Sequence, residues 1–209
     1  MSRTEETYRR HHEQKNRLGF SYGGNARISI LADWIGYGQR VLDLGCRGGV
    51  LTSRLPPGNS VVGADIDGVS LRRGKEAGQL SEVVQLDAMF PLPFSAGSFT
   101  AVLCGEFIEH QPFPEWLLEE TVRILEPGRR FVGSTPNSYR WKNRLRFLAG
   151  LPFDPDPTHL RFFSKSLLHQ LLAKYFSEIE IRPIVGRFVA LHPGGFANTL
   201  VWRCRKKER

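Results

Sequence analysis

Three acids stand at the ends of short apolar runs. Asp43 lies in Val41-Leu42-Asp43-Leu44, Asp65 closes Ser60-Val61-Val62-Gly63-Ala64-Asp65, and Asp87 follows residues 82–86. A fourth run, Phe99-Thr100-Ala101-Val102-Leu103-Cys104, delivers Gly105-Glu106-Phe107-Ile108-Glu109-His110. Carboxylates and an imidazole gathered at strand ends can accept hydrogen bonds from a ligand's hydroxyl and amino groups, or take a proton from a reacting one. Between the first two acids lies Gly45-Cys46-Arg47-Gly48-Gly49, a tight turn whose glycines allow positive φ and close backbone approach.

The pattern disfavours a dinucleotide. That ligand wants G-x-G-x-x-G with its pyrophosphate on a helix N-terminus. Here Arg47 takes the place of the second glycine, and Asp43 would repel a phosphate beside it. A cationic ligand reverses the argument. S-adenosylmethionine carries a sulfonium, an ammonium and a carboxylate but no phosphate, so Asp43 suits its positive end and the turn amides suit its carboxylate. Asp65 follows Gly45 by about 20 residues, the spacing at which a second-strand carboxylate meets a ribose diol. Asp87 can accept from an adenine amino group, with Ile66 and Met89 on either side of the ring; the alternative for Asp87 is a loop cap.

The elements that must hold these residues follow from periodicity and punctuation. With 209 residues, one domain is the default. No apolar run reaches the length of a membrane span, and the polar first residues do not read as a signal peptide. Cys46, Cys104 and Cys204 are widely spaced and read as reduced, cytoplasmic thiols. The net charge of +8 permits nucleic acid, anionic lipid or acidic substrates and selects none of them. Residues 1–24 are polar and basic, either a solvated arm or a flap over the ligand. Helices are expected over 25–35, from 50 until Pro56-Pro57-Gly58, over 69–77 with Asp67 as cap, from Pro114 until Pro127-Gly128, and from Ser164 to about 175. Strands are expected at 41–44, 60–65, 82–86, 99–104 and 130–134, with a late hairpin at 178–185 and 199–205. Alternating strands and helices from 40 to 135 imply a parallel sheet with right-handed crossovers.

In that order and spacing, several motifs together resemble a class I S-adenosylmethionine-dependent methyltransferase, close to the small-molecule "type 11" or UbiE-like domains. They are Val41-Leu42-Asp43-Leu44-Gly45-Cys46, Val62-Gly63-Ala64-Asp65-Ile66-Asp67, Asp87-Ala88, Pro91-Leu92-Pro93-Phe94, Ser98-Phe99, Glu106-Phe107-Ile108-Glu109-His110, Ile124-Leu125-Glu126-Pro127-Gly128 and Ser134-Thr135-Pro136-Asn137. The match covers roughly residues 25 to 180. The resemblance implies an α/β, Rossmann-like, doubly wound sheet of seven strands in order 3-2-1-4-5-7-6, strand 7 antiparallel, with helices on both faces. It implies S-adenosyl-L-methionine as cofactor and S-adenosyl-L-homocysteine as product. Cofactor contacts would fall to Asp43, Gly45, Cys46, Arg47, Gly49, Asp65, Ile66, Asp87, Ala88 and Met89. Arg47 departs from the family, which usually has glycine there; at positive φ an arginine costs about 1 kcal/mol.

Methyl transfer mainly requires alignment of the acceptor atom, and a hydroxyl acceptor also needs a base. His110 and Glu106 are the catalytic candidates; the alternative for His110 is a structural role. Asn137, His159 and Arg161 are candidate acceptor-binding residues, and no metal site is assigned. Residues 137–161 read as a lid-like insertion in a single domain of 25–209. Within it, Arg140, Lys142, Arg144 and Arg146 interleave with Trp141, Leu145 and Leu148. That stretch is either a lid packed on the domain or an interfacial helix at an anionic membrane surface. The acceptor is then a small molecule or a lipid- or sugar-linked one. The rivals are an RNA methyltransferase and a non-catalytic S-adenosylmethionine-binding module. Nucleic acid is the weaker partner, because the fourth strand ends in neither an Asn/Asp-Pro-Pro-aromatic run nor a Pro-Cys, and no catalytic lysine stands at these strand ends. A cytoplasmic protein, peripheral to the membrane if the interfacial reading holds, is expected.

Overall fold

The computed structural model describes residues 24–154 and 156–208. The expected N-terminal arm or flap lies outside the described residues, apart from Gly24. Seven strands form one sheet in the order β3-β2-β1-β4-β5-β7-β6. They are β1 Arg40–Leu44, β2 Ser60–Asp65, β3 Glu82–Gln85, β4 Phe99–Gly105, β5 Leu125–Pro136, β6 Phe176–Ile184 and β7 Thr199–Lys206. The first five pair in parallel, and β7 runs antiparallel between β5 and β6. The helices are α1 Gly24–Ile35, α2 Gly68–Glu76, α3 Pro114–Ile124, α4 Trp141–Leu148, α5 Lys165–Ala173 and the single turn α6 Pro193–Phe196.

Alternation along β1 and β4 divides the core between two faces. Val41, Ala101 and Leu103 pack with Leu31, Trp34 and Ile35 of α1. Leu42, Leu44, Val102 and Cys104 pack with Leu117 and Leu118 of α3 and Leu168 and Leu172 of α5. Each fully buried leucine contributes about 1.5–3 kcal/mol. Asp43 shares the parity of Val41, so it is carried to the α1 face. The late pair is anchored by Trp202, fully buried, whose ring lies 5.8 Å from that of Phe131.

The structure corrects three expectations. The helix expected from residue 50 is only a 3₁₀ turn, Thr52–Arg54; too few residues separate Gly49 from Pro56 to nucleate an α-helix. Of the turn glycines, Gly45 and Gly49 hold φ of +74° and +82°, whereas Gly48 has no positive φ and the left-handed residue between is Arg47 at +50°. Pro127-Gly128 does not end a helix in a loop. α3 stops at Ile124 and passes directly into β5, where both residues sit in a register shift between the Phe99–Leu125 and Ala101–Arg130 pairs. A bulge tolerates a proline that a regular central strand would not.

Candidate functional site

The order of the strands reverses between β1 and β4, and a crevice opens there outside their carboxyl ends. It holds a cavity of about 260 Å³ lined by Gly45, Arg47, Asp65, Ile66, Asp87, Ala88, Met89, Glu106 and His110, together with Ala64, Leu86, Phe107, Gln111, Pro112 and Leu160. Nine of the sequence-derived candidates therefore meet in one place. A wider depression of about 430 Å³ adjoins it through Ala88, Met89, Gln111 and Pro112 and extends to Trp116.

The turn is built by exclusion of side chains. A Cβ on Gly45 would lie 2.4 Å from the Phe107 ring, and one on Gly49 would lie 2.6 Å from Leu80. Asp65 is fixed by its neighbours: one oxygen accepts from the Arg47 amide at 2.9 Å and the other from the Asp67 amide at 2.9 Å. Asp67 caps α2 by accepting from the Val69 and Ser70 amides, as its position in the sequence predicts. Asp87 accepts from the Met89 amide at 3.0 Å, so the loop-cap reading and the cavity-lining reading both hold for it.

Asp43, Cys46 and Gly49 do not line the cavity. Asp43 is 2 % exposed and accepts from the Thr52 hydroxyl at 2.6 Å. Burial pushes its pKa up to about 7, with Thr52 and Arg27 opposing the rise. The Cys46, Cys104 and Cys204 thiols are all free and buried, and burial raises each of them, which leaves them inert.

Arg27 is the residue that sequence reasoning missed. It lies on α1 yet is 4 % exposed, donates to the Ser134 hydroxyl at 2.7 Å and sits 3.8 Å from Glu106. The signal was present: Arg27 falls on the same helical stripe as Leu31 and Ile35, and a cation on an apolar stripe needs buried acids to receive it.

At the exit of β4 the backbone is held in an unusual conformation. Glu106 has φ of +56°, kept by its amide donating to the Ser134 carbonyl at 2.8 Å. Two of the four non-glycine residues with positive φ among the described residues, Arg47 and Glu106, line this cavity, and strain of that kind collects at functional sites. Ile108–His110 form a 3₁₀ turn. Burial raises the pKa of Glu106 and raises Glu109 well above the carboxylate range; Arg27 opposes the rise at Glu106, and Glu106 adds to it at Glu109. His110 is pushed down to about 3 by burial, with its Nδ1 2.9 Å from the Thr158 carbonyl. A neutral imidazole of that pKa is a poor proton acceptor.

The acceptor-side candidates are separated. Asn137 is buried and donates to the carbonyls of Gly194 and Ala197 at 2.8 and 3.0 Å, tying β5 to α6 outside the cavity. Arg161 donates through Nε to the Pro112 carbonyl at 3.0 Å. His159 is brought to the site: its ring centre lies 5.0 Å from that of His110, and its Nδ1 is 3.1 Å from Asp154. The Leu160 and Arg161 amides donate to the Glu109 carbonyl at 2.9 and 3.0 Å and knit this loop to the β4 exit. Further out, Asn143 is the one buried residue of α4, while Leu145 and Leu148 are 62 % and 80 % exposed, so the expected apolar face is not packed on the domain. Among the described residues no helix is long and apolar enough to cross a membrane.

Comparison with known proteins gives a consistent result. A family model described as a methyltransferase domain matches residues 9–175. The ubiquinone biosynthesis O-methyltransferase of Cronobacter sakazakii is 30 % identical over 200 residues, covering 87 % of this chain and 82 % of that protein. Its counterpart from Escherichia coli O157:H7 (strain EC4115 / EHEC) is 31 % identical over 118 residues, covering 53 % of this chain; the chain spans about half the length of that relative, 49 % of it. Among solved structures, a SAM-dependent methyltransferase from Thermotoga maritima superposes with a TM-score of 0.72 at 19 % identity, covering 97 % of this chain and 98 % of that one. N-methyltransferase NodS from Bradyrhizobium japonicum, in complex with S-adenosyl-L-homocysteine, gives 0.66 at 17 % identity over 92 % and 91 %. At these identities the two structures establish the fold.

Proposed function

Because the chain belongs to the methyltransferase domain family, we propose that it transfers a methyl group from S-adenosylmethionine to an oxygen of a small acceptor that is anionic, lipid-linked or both. The observation that carries the donor half is the cavity at the β1–β4 switch point, with Asp65 held at its floor by two amides. Asp65 accepts from an amide on each oxygen at the end of β2, the place from which a carboxylate reaches a ribose diol. Ile66, Leu86, Met89 and Phe107 supply apolar walls for a flat ring. When bound, the donor supplies an electrophilic methyl on a sulfonium. Glu106 accepts the proton of the acceptor hydroxyl, and Arg27 stabilises the carboxylate beside it.

The acceptor class rests on the relatives' name and on α4. Exposed Trp141, Leu145, Phe147 and Leu148 are interleaved with cations, an arrangement suited to the surface of anionic lipid. Three of those cations also hold the segment together. Arg140 bonds Asn198, Arg144 donates to the Tyr139 carbonyl at 2.7 Å, and Arg146 donates to the Pro152 carbonyl at 3.1 Å. The cleaner disruption is therefore Leu145→Ser with Leu148→Ser. That variant should fold normally, bind S-adenosylhomocysteine as wild type does, and lose co-sedimentation with phosphatidylglycerol vesicles and turnover of vesicle-borne quinols. Unchanged sedimentation and turnover would remove lipid from the reading.

A further inference from the structure

We propose that Glu120 and Arg123 of α3 are positioning residues for the methyl donor: they tether residues 86–94 so that Ala88 and Met89 form the wall against which its adenine ring lies. The inference deepens the donor reading of the cavity and rests on it. Ala88 and Met89 line both the cavity of about 260 Å³ and the depression of about 430 Å³ beside it. Residues that border two open spaces lack the close packing that fixes a core side chain. Something else has to hold them.

The segment has no element of its own to do so. Between β3 and β4, residues 86–98 form neither helix nor strand. Pro91 and Pro93 flank Leu92, and a proline lacks the amide hydrogen that a helix or a sheet ladder needs. Leu92 is nevertheless buried in the core, with Leu86 and Phe94 packed against the same cluster. Buried backbone groups must find partners, and here they find them on α3.

Two side chains supply most of those partners. Glu120 is buried, and its Oε2 accepts from the Leu92 amide at 2.8 Å. Arg123 donates to the Phe94 carbonyl at 2.6 Å and to the Leu92 carbonyl at 2.9 Å. The Arg123 carbonyl accepts from the Gly97 amide at 3.1 Å. The two side chains lock each other by a two-pronged pair: Nε and Nη2 of Arg123 each donate to one Glu120 oxygen at 2.7 Å. Such a fork fixes direction as well as distance, which a lysine cannot do. Its hydrogen bonds hold the Glu120 carboxyl below its ordinary pKa, so the pair stays charged near neutrality. Trp116, which lines the depression, precedes Glu120 by four residues and Arg123 by seven, so one face of α3 meets the whole segment.

The test compares two ligands that differ only in the ring. S-adenosylhomocysteine and S-ribosylhomocysteine, which lacks adenine, are titrated into wild type and into Glu120→Gln with Arg123→Met. Changing both residues together leaves no buried charge alone. Loss of preorganisation should weaken S-adenosylhomocysteine about 10-fold and S-ribosylhomocysteine by less than about 2-fold. Amide exchange across residues 86–94 should quicken in the same variant without ligand. Should that variant not fold, Arg123→Lys, which keeps the charge and loses the fork, carries the same comparison. Unchanged S-adenosylhomocysteine affinity, or equal losses for the two ligands, would make the pair a support of the fold alone and overturn the inference. If wild type binds neither ligand, the donor reading fails, and exchange across 86–94 still decides the tether: faster in the variant sustains it, equal rates overturn it.

Discussion

The two halves of the crevice are constructed differently. On the donor side, at the ends of β1, β2 and β3, the contacts are made by backbone groups: left-handed glycines, an acid accepting from amides, an aspartate capping a helix. On the acceptor side, at the ends of β4 and β5, the contacts are long-range and made by buried polar side chains. Arg27 reaches Ser134, Glu109 reaches Thr135, and His110 reaches Thr158. The first kind makes a fixed cradle. The second kind holds buried titratable groups whose protonation depends on their neighbours.

The comparison can be broken at several points, of which the largest effect concerns pH. Asp43 belongs to the donor side by sequence, yet its carboxyl is buried, bonded to the Thr52 hydroxyl and within the field of Arg27. With a folded pKa of about 7 against an ordinary 3.8, the folded state keeps a proton that the unfolded state has released. Stability is therefore full below about pH 4 and declines as pH rises to 7. Asp43→Asn removes that decline, so its advantage over wild type should grow on the order of 2–4 kcal/mol between pH 4 and pH 8. Denaturant midpoints of both proteins across that range measure it; a constant difference would place Asp43 in an ordinary ionised setting.

Next comes the turn itself. Gly45→Ala places a Cβ against the root of Phe107 at a φ of +74°. Repacking and backbone strain together should cost about 2–3 kcal/mol of stability, read as a lower urea midpoint. A neutral result would mean that Phe107 moves freely and that the cradle is not fixed by backbone. The smallest effect is expected at Arg47→Gly. Relief of strain at φ of +50° is offset by the entropy of a new glycine, so stability should stay within about 1 kcal/mol of wild type. The affinity for S-adenosylhomocysteine should nevertheless fall if the guanidinium meets the ligand carboxylate. Equal affinity would make Arg47 a backbone donor to Asp65 and nothing more.

The donor side was legible in the sequence for a physical reason. Positive φ, strand-end acids and N-caps are local requirements, and local requirements leave marks within a few residues, as at Gly45, Asp65 and Asp67. The seven-stranded order followed from the alternation of strands and helices together with a resemblance spread over most of the chain. The 3₁₀ turn at Thr52–Arg54 and the start of β5 at Leu125 were not legible, because chain length between breakers and a bulge decided them against propensity. On the acceptor side, Asn137 and Arg161 were chosen because their segments should border the acceptor pocket, and their side chains hold backbone carbonyls instead. The meeting of His110 with His159 left no local trace, since a loop far along the chain supplies the second ring.

The most direct test of the account is calorimetric titration of S-adenosylhomocysteine and of NAD into wild type and Asp65→Ala. The account predicts that wild type binds the first ligand and not the second. It also predicts that Asp65→Ala stays folded and loses about 1–3 kcal/mol of affinity, because charge-assisted hydrogen bonds to the ribose hydroxyls are gone. An unchanged dissociation constant in folded Asp65→Ala, or binding of NAD in place of S-adenosylhomocysteine, would contradict it.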